Sequence, residues 1–141
     1  MSDYHAIFND SFSRIMGDEV RRDRFFDLFY ETFLASSDEV RDKFARTDMA
    51  VQKRMLRTSL LYMTAFASTP RPSDSLIRLA RLHSKGEKDI RPELYGAWLD
   101  AIIVAAARID PKFSNVAEIA WRVTLAPGIE FMKAHYETPG R

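Results

Sequence analysis

Any chemistry in this chain has to come from a few polar side chains set on otherwise apolar helical faces. The segment 73–84 carries Leu76, Leu79 and Ala80 on one face, and His83 continues that face one turn later. An imidazole on a buried stripe must be hydrogen-bonded, lie at an interface or bind a metal. His5 and His135 lie near the termini, and neither has a comparable setting. In the segment 48–67, Met55, Leu56, Ser59, Leu60 and Met63 form an inner face that Gln52 extends backwards by one turn. Burying an unpartnered amide costs about 1–3 kcal/mol, so Gln52 needs a partner or ligand unless water reaches it at the helix start. Tyr30 shares a face with Phe26, Phe33 and Leu34, where a tyrosine usually packs as core while its hydroxyl finds a carbonyl. Phe44 follows fourteen residues later in a connecting stretch, where it can plug the core.

These side chains belong to one domain-sized chain of 141 residues, read as a single domain over 1–141. Hydrophobic residues at 46% and charged residues at 29% place it among globular proteins. With 21 Lys+Arg against 20 Asp+Glu there is no basic field, so nucleic acid is not an expected partner. The absence of cysteine excludes disulfides, thiolate metal sites and cysteine nucleophiles. The N-terminus lacks the basic start and apolar run of a signal peptide. The longest purely apolar stretch, Ala101 to Ala107, is too short to span a bilayer. A soluble, cytoplasmic protein is therefore expected. Ten Phe, five Tyr and two Trp fit either an aromatic-rich core or a pocket for a flat cofactor.

The elements that must position these residues are helices. Apolar residues recur at intervals of three and four nearly throughout, and no segment alternates as a strand would. The spacing predicts helices near 3–16, 18–35, 48–67, 73–84, 92–109 and 114–136, with a short turn at 38–43. Thr47 and Ser73 are expected N-caps, and Pro92-Glu93 suits a helix start. Asp110-Pro111 should close the fifth helix, and Pro127-Gly128 should kink or briefly break the last one.

In order and spacing, Phe29-Tyr30, Glu39, Phe44, Gln52, Leu56, His83 and Pro92-Glu93-Leu94-Tyr95 resemble the bacterial globins. The likeness is nearest to single-domain bacterial haemoglobins and to the haem domain of flavohaemoglobins, and it runs from about Phe12 to Tyr136. It implies an all-α globin fold, a three-over-three helical sandwich around haem b (iron protoporphyrin IX). His83 would be the proximal iron ligand, with a carbonyl one turn back near Leu79 accepting from its other ring nitrogen. Tyr30 and Gln52 would be distal hydrogen-bond donors, Phe44 the ring stacked on the porphyrin, Leu56 a distal wall and Tyr95 a proximal neighbour. The sequence departs from the family in two places. Asp38-Glu39 stands where Pro-Glu is usual, and Met132 falls where flavohaemoglobins have a proximal glutamate, with Glu130 two residues away.

Such a protein would bind oxygen, carbon monoxide or nitric oxide for storage, transport or sensing, with no catalytic residue of its own. The alternative is a nitric oxide dioxygenase served by a separate reductase, since the chain ends at Arg141 without flavin or nicotinamide domains. A haem-free interaction module would place no demand on a histidine at position 83.

Overall fold

A computed structural model describes residues 3–69 and 71–137 and contains seven α-helices and no strand among them. They are α1 (Tyr4–Met16), α2 (Glu19–Leu34), α3 (Asp38–Lys43), α4 (Met49–Ser68), α5 (Asp74–Leu82), α6 (Leu94–Ile109) and α7 (Asn115–Ala134). None of these helices is long and apolar enough to cross a membrane. The chain clusters into two compact units, Met1–Asp48 with Gly96–Val123, and Met49–Tyr95 with Thr124–Arg141.

The first unit is an aromatic core. Trp121 packs edge-on against Phe8 at 4.8 Å and lies 6.0 Å from Phe25, while Phe29 stacks on Phe33 at 5.4 Å. Offset and edge-to-face pairs of this kind add about 0.5–1.5 kcal/mol each beyond the area they bury. Much of the aromatic surplus thus serves packing. One polar network threads this core. Trp121 Nε1–H donates to Ser11 Oγ at 2.9 Å, and the Ser11 hydroxyl donates to Asp110 Oδ2 at 2.6 Å. Arg14 grips the same carboxylate with Nε at 2.6 Å and Nη2 at 2.8 Å, and the Lys112 amide adds a fourth bond. Burial alone would raise the Asp110 carboxyl. The bonds from Arg14, Ser11 and Lys112 outweigh that and hold it below the usual carboxylate range.

The buried side chains of the second unit are mainly aliphatic and sulfur-containing, with Tyr95 among them. Leu56, Leu60 and Met63 are buried on α4, Leu76 and Ala80 on α5. Ser73 caps α5 as expected, its hydroxyl accepting from the Leu76 amide at 3.1 Å. Four expectations need correction. Met55 is 42% exposed, so the inner face of α4 is Leu56, Leu60 and Met63 without it. Helix α4 begins at Met49, which puts Asp48 rather than Thr47 at the position before it. Helix α6 begins at Leu94, because residues 92–93 form a turn with Tyr95 N–H bonded to Pro92. Finally, α7 runs unbroken through Pro127. The proline forfeits one bond, to the carbonyl four residues back, and that loss does not end the helix. Gly128 fits there for a packing reason: a Cβ would meet Met63 Cγ at 2.8 Å.

Candidate functional site

Helix α5 ends at Leu82 and His83 is its C-cap, with φ −85° and ψ −3°. The Leu79 carbonyl accepts twice from this residue, from the backbone N–H at 3.1 Å and from the ring Nδ1 at 2.8 Å. A carbonyl only accepts, so Nδ1 carries the proton and Nε2 keeps its lone pair. Burial pushes the imidazole below its usual pKa, the Leu79 bond offsets part of this, and Lys88 adds to the depression. The ring is therefore neutral at pH 7, the form in which histidine binds a metal. The acceptor is the carbonyl expected from the sequence.

The other candidate residues of the second unit are Gln52, Leu56, Leu79 and Tyr95. Leu56 is buried, and Gln52, one turn earlier on α4, is half-buried. Tyr95 is buried. Burial raises the Tyr95 phenol well above its ordinary value, so it stays a hydroxyl. A cavity of about 350 Å³ opens between α4 and α5, with Met55, Tyr62, Leu79 and Leu82 among its apolar walls and Arg54 and Arg78 beside them. Of the candidate residues, Leu79 reaches this cavity. His83, Gln52, Leu56 and Tyr95 do not line it. In the first unit, Tyr30 is buried with its ring edge-on to Phe29 at 4.7 Å and to Phe44 at 5.8 Å. Phe44 is the C-cap of α3 and also touches Phe33, so the structure brings Tyr30 and Phe44 together.

Near the end of α7, Met132 is buried whereas Glu130 is exposed and pairs with Lys133 at 3.4 Å. The remaining histidines are differently placed. His135 bonds the Phe131 carbonyl at 2.9 Å, and the His5 Nδ1 is buried without a partner among the described residues. No group of three or more His, Asp or Glu converges among the described residues.

No family model matches the chain, and no curated protein matches it. A solved structure does: a Pseudomonas aeruginosa PAO1 protein, described as structurally highly homologous to a human haemoglobin, matches with a TM-score of 0.89. The two sequences are 36% identical over 96% of this chain and 100% of that one. This chain is a globin.

The all-helical class read from the periodicity and the globin fold implied by the resemblance are thus correct. Globins hold haem through one protein ligand, and the donor set of this globin suits that group: a neutral imidazole with Nδ1 committed to a carbonyl and Nε2 open. Two residues near His83 escaped the sequence reading, Asp89 and Tyr136. Their side chains bond each other, joining the loop after α5 to the segment after α7. A lone aspartate in a polar loop and a tyrosine past a helix end give no signal of pairing across 47 residues.

Proposed function

We propose that this globin binds haem b through His83 Nε2 and uses it to hold a diatomic gas reversibly. The observation that carries the reading is the His83 Nδ1–H bond to the Leu79 carbonyl, which fixes the tautomer and aims the second nitrogen as a donor. When bound, the haem would supply an iron able to take up a gas ligand. The depressed pKa of His83 keeps protons from competing for Nε2 at neutral pH. Leu56, Leu79 and Phe44 provide apolar surface that excludes water from the porphyrin. The Tyr30 hydroxyl and the Gln52 amide donate to the gas. Both favour oxygen, which draws negative charge onto itself, over carbon monoxide. Tyr95, kept protonated by burial, serves as a neutral proximal neighbour.

Binding is favoured over nitric oxide dioxygenation by the state of α7. The position corresponding to the flavohaemoglobin glutamate is a buried methionine, and the nearest carboxylate on the helix, Glu130, is engaged with Lys133 at the surface. Without that carboxylate, the proximal imidazole donates less electron density. The test is a haem titration followed by absorption spectra of the ferric, ferrous and carbon monoxide forms. A stoichiometric complex with histidine-ligated spectra is expected, and a chain that stays colourless with excess haem would end the reading. Rapid multiple-turnover consumption of nitric oxide with a flavin reductase would replace carriage with dioxygenation.

A further inference from the structure

The loop that follows His83 is built more tightly than a surface connection needs to be. The amides of Glu87 and Asp89 both donate to the Ser84 carbonyl, and the Lys88 amide donates to Leu82. The Ile90 amide closes the ring by donating to the carbonyl of His83 itself at 3.0 Å. Within this ring Asp89 adopts φ 54°, the one left-handed non-glycine residue among those described. Aspartate tolerates that region better than most residues, but the conformation persists only where the surroundings enforce it.

What enforces it is the segment beyond α7. The Tyr136 hydroxyl donates to Asp89 Oδ1, and the Tyr136 carbonyl accepts from the Lys85 amide at 2.9 Å. One residue therefore grips the loop at both ends. Lys85 lies two residues after His83, and Asp89 immediately precedes the residue that bonds the histidine carbonyl. The Asp89 carboxylate pushes the phenol up to about 12, so Tyr136 remains a donor through the physiological range. His83 needs this support because α5 has already ended. Its N–H and Nδ1–H are held from behind by Leu79, while its carbonyl is held only through the loop.

We infer that Tyr136 and Asp89 are positioning residues for His83, a strap from the C-terminal segment that fixes the loop and, through it, the orientation of the imidazole. The inference rests on the reading of His83 as proximal ligand, and it also makes a claim that holds without haem.

Tyr136→Phe keeps the ring and removes the donor, Asp89→Ala removes the acceptor, and Asp89→Asn keeps an acceptor on a residue that tolerates the left-handed region. Amide hydrogen exchange of residues 84–90 and the His83 Nδ1–H resonance are followed by NMR on the full chain. The iron–histidine stretching band is recorded on the ferrous haem complex. Tyr136→Phe and Asp89→Ala should speed exchange at Asp89 and Ile90 about tenfold or more, as loss of a charge-assisted bond requires. Both should shift the Nδ1–H resonance and the stretching band, with Asp89→Asn nearer the parent chain on every readout. Unchanged exchange would overturn the strap. Faster exchange with an unmoved Nδ1–H resonance and stretching band would overturn the positioning role. If the parent chain shows no iron–histidine band, the proximal assignment fails instead, and exchange with the Nδ1–H resonance still decides the strap.

Discussion

Two polar clusters, one in each compact unit, are buried in opposite ways. In the first, Asp110 is enclosed and four donors converge on it, while Trp121 ties the same network to the aromatic core. The carboxylate has no acceptor capacity to spare for a ligand. In the second, polar groups are buried with capacity left over. His83 has one nitrogen bonded and one open, the buried Thr124 Oγ1 has no partner among the described residues, and a non-glycine residue is held in the left-handed region. Closed networks stabilise and open ones bind, because a buried polar atom without a protein partner is offset only by a ligand or water. The comparison makes a division of labour testable: substitutions in the Asp110–Trp121 network should act on stability, and those at the proposed haem residues on the cofactor and its gas.

The largest stability effect is expected from Trp121→Ala. Removing this ring empties the centre of the Phe8–Phe25 cluster and should cost about 3–5 kcal/mol in urea unfolding. The haem affinity of molecules that remain folded should be unchanged. A variant that lost haem affinity while keeping its unfolding midpoint would break the division.

Asp110→Ala comes next. Breaking a buried pair of this kind costs about 3 kcal/mol, less whatever Arg14 recovers from solvent through its 27% exposure. It also has a pH signature. The folded-state pKa of Asp110 lies below the unfolded value, so its contribution is fully present above about pH 4 and is lost as pH falls through the folded pKa. Asp110→Ala should therefore flatten the acid limb of the stability profile and leave the profile above pH 6 parallel to the parent.

Tyr30→Phe tests the gas-binding side. Loss of a hydrogen bond worth about 1–2 kcal/mol should speed oxygen dissociation roughly tenfold, with little change for carbon monoxide. Equal effects on the two gases would show that the hydroxyl does not distinguish them. The smallest effect is Gly128→Ala, where the new methyl must displace the flexible Met63 side chain. About 1 kcal/mol of lost stability is expected from the overpacking, and a stabilised variant would show that the helices have room to spare.

How much of this was legible in the sequence follows from the range of each interaction. Helix positions and the Ser73 cap depend on residues within one turn, and both were read to within about two residues. The His83–Leu79 bond was readable for the same reason, since it spans a single turn. The Asp110 network joins residues 96 to 110 apart, and no local pattern marks Ser11 as the partner of Trp121. Met55 fitted the periodicity of α4 but lies at the edge of its apolar arc, where the groove beside α5 leaves it exposed. The sequence offers a kink or a short break at Pro127; the helix is continuous there, where the buried Leu125, Ile129 and Met132 sustain it. Whether Met132 or Glu130 takes the place of the flavohaemoglobin glutamate depends on the length of a preceding loop, which no local pattern fixes; Met132 is buried and Glu130 exposed.

The central claim is that His83, through Nε2, is the one residue on which the cofactor depends. Its most direct test is haem affinity and the ferrous spectrum of His83→Gly, measured with and without added imidazole. The expected result is a large loss of affinity that free imidazole restores, together with a five-coordinate histidine-like spectrum, while His5→Ala and His135→Ala bind as the parent does. Unaltered affinity and spectrum in His83→Gly without imidazole would contradict the account.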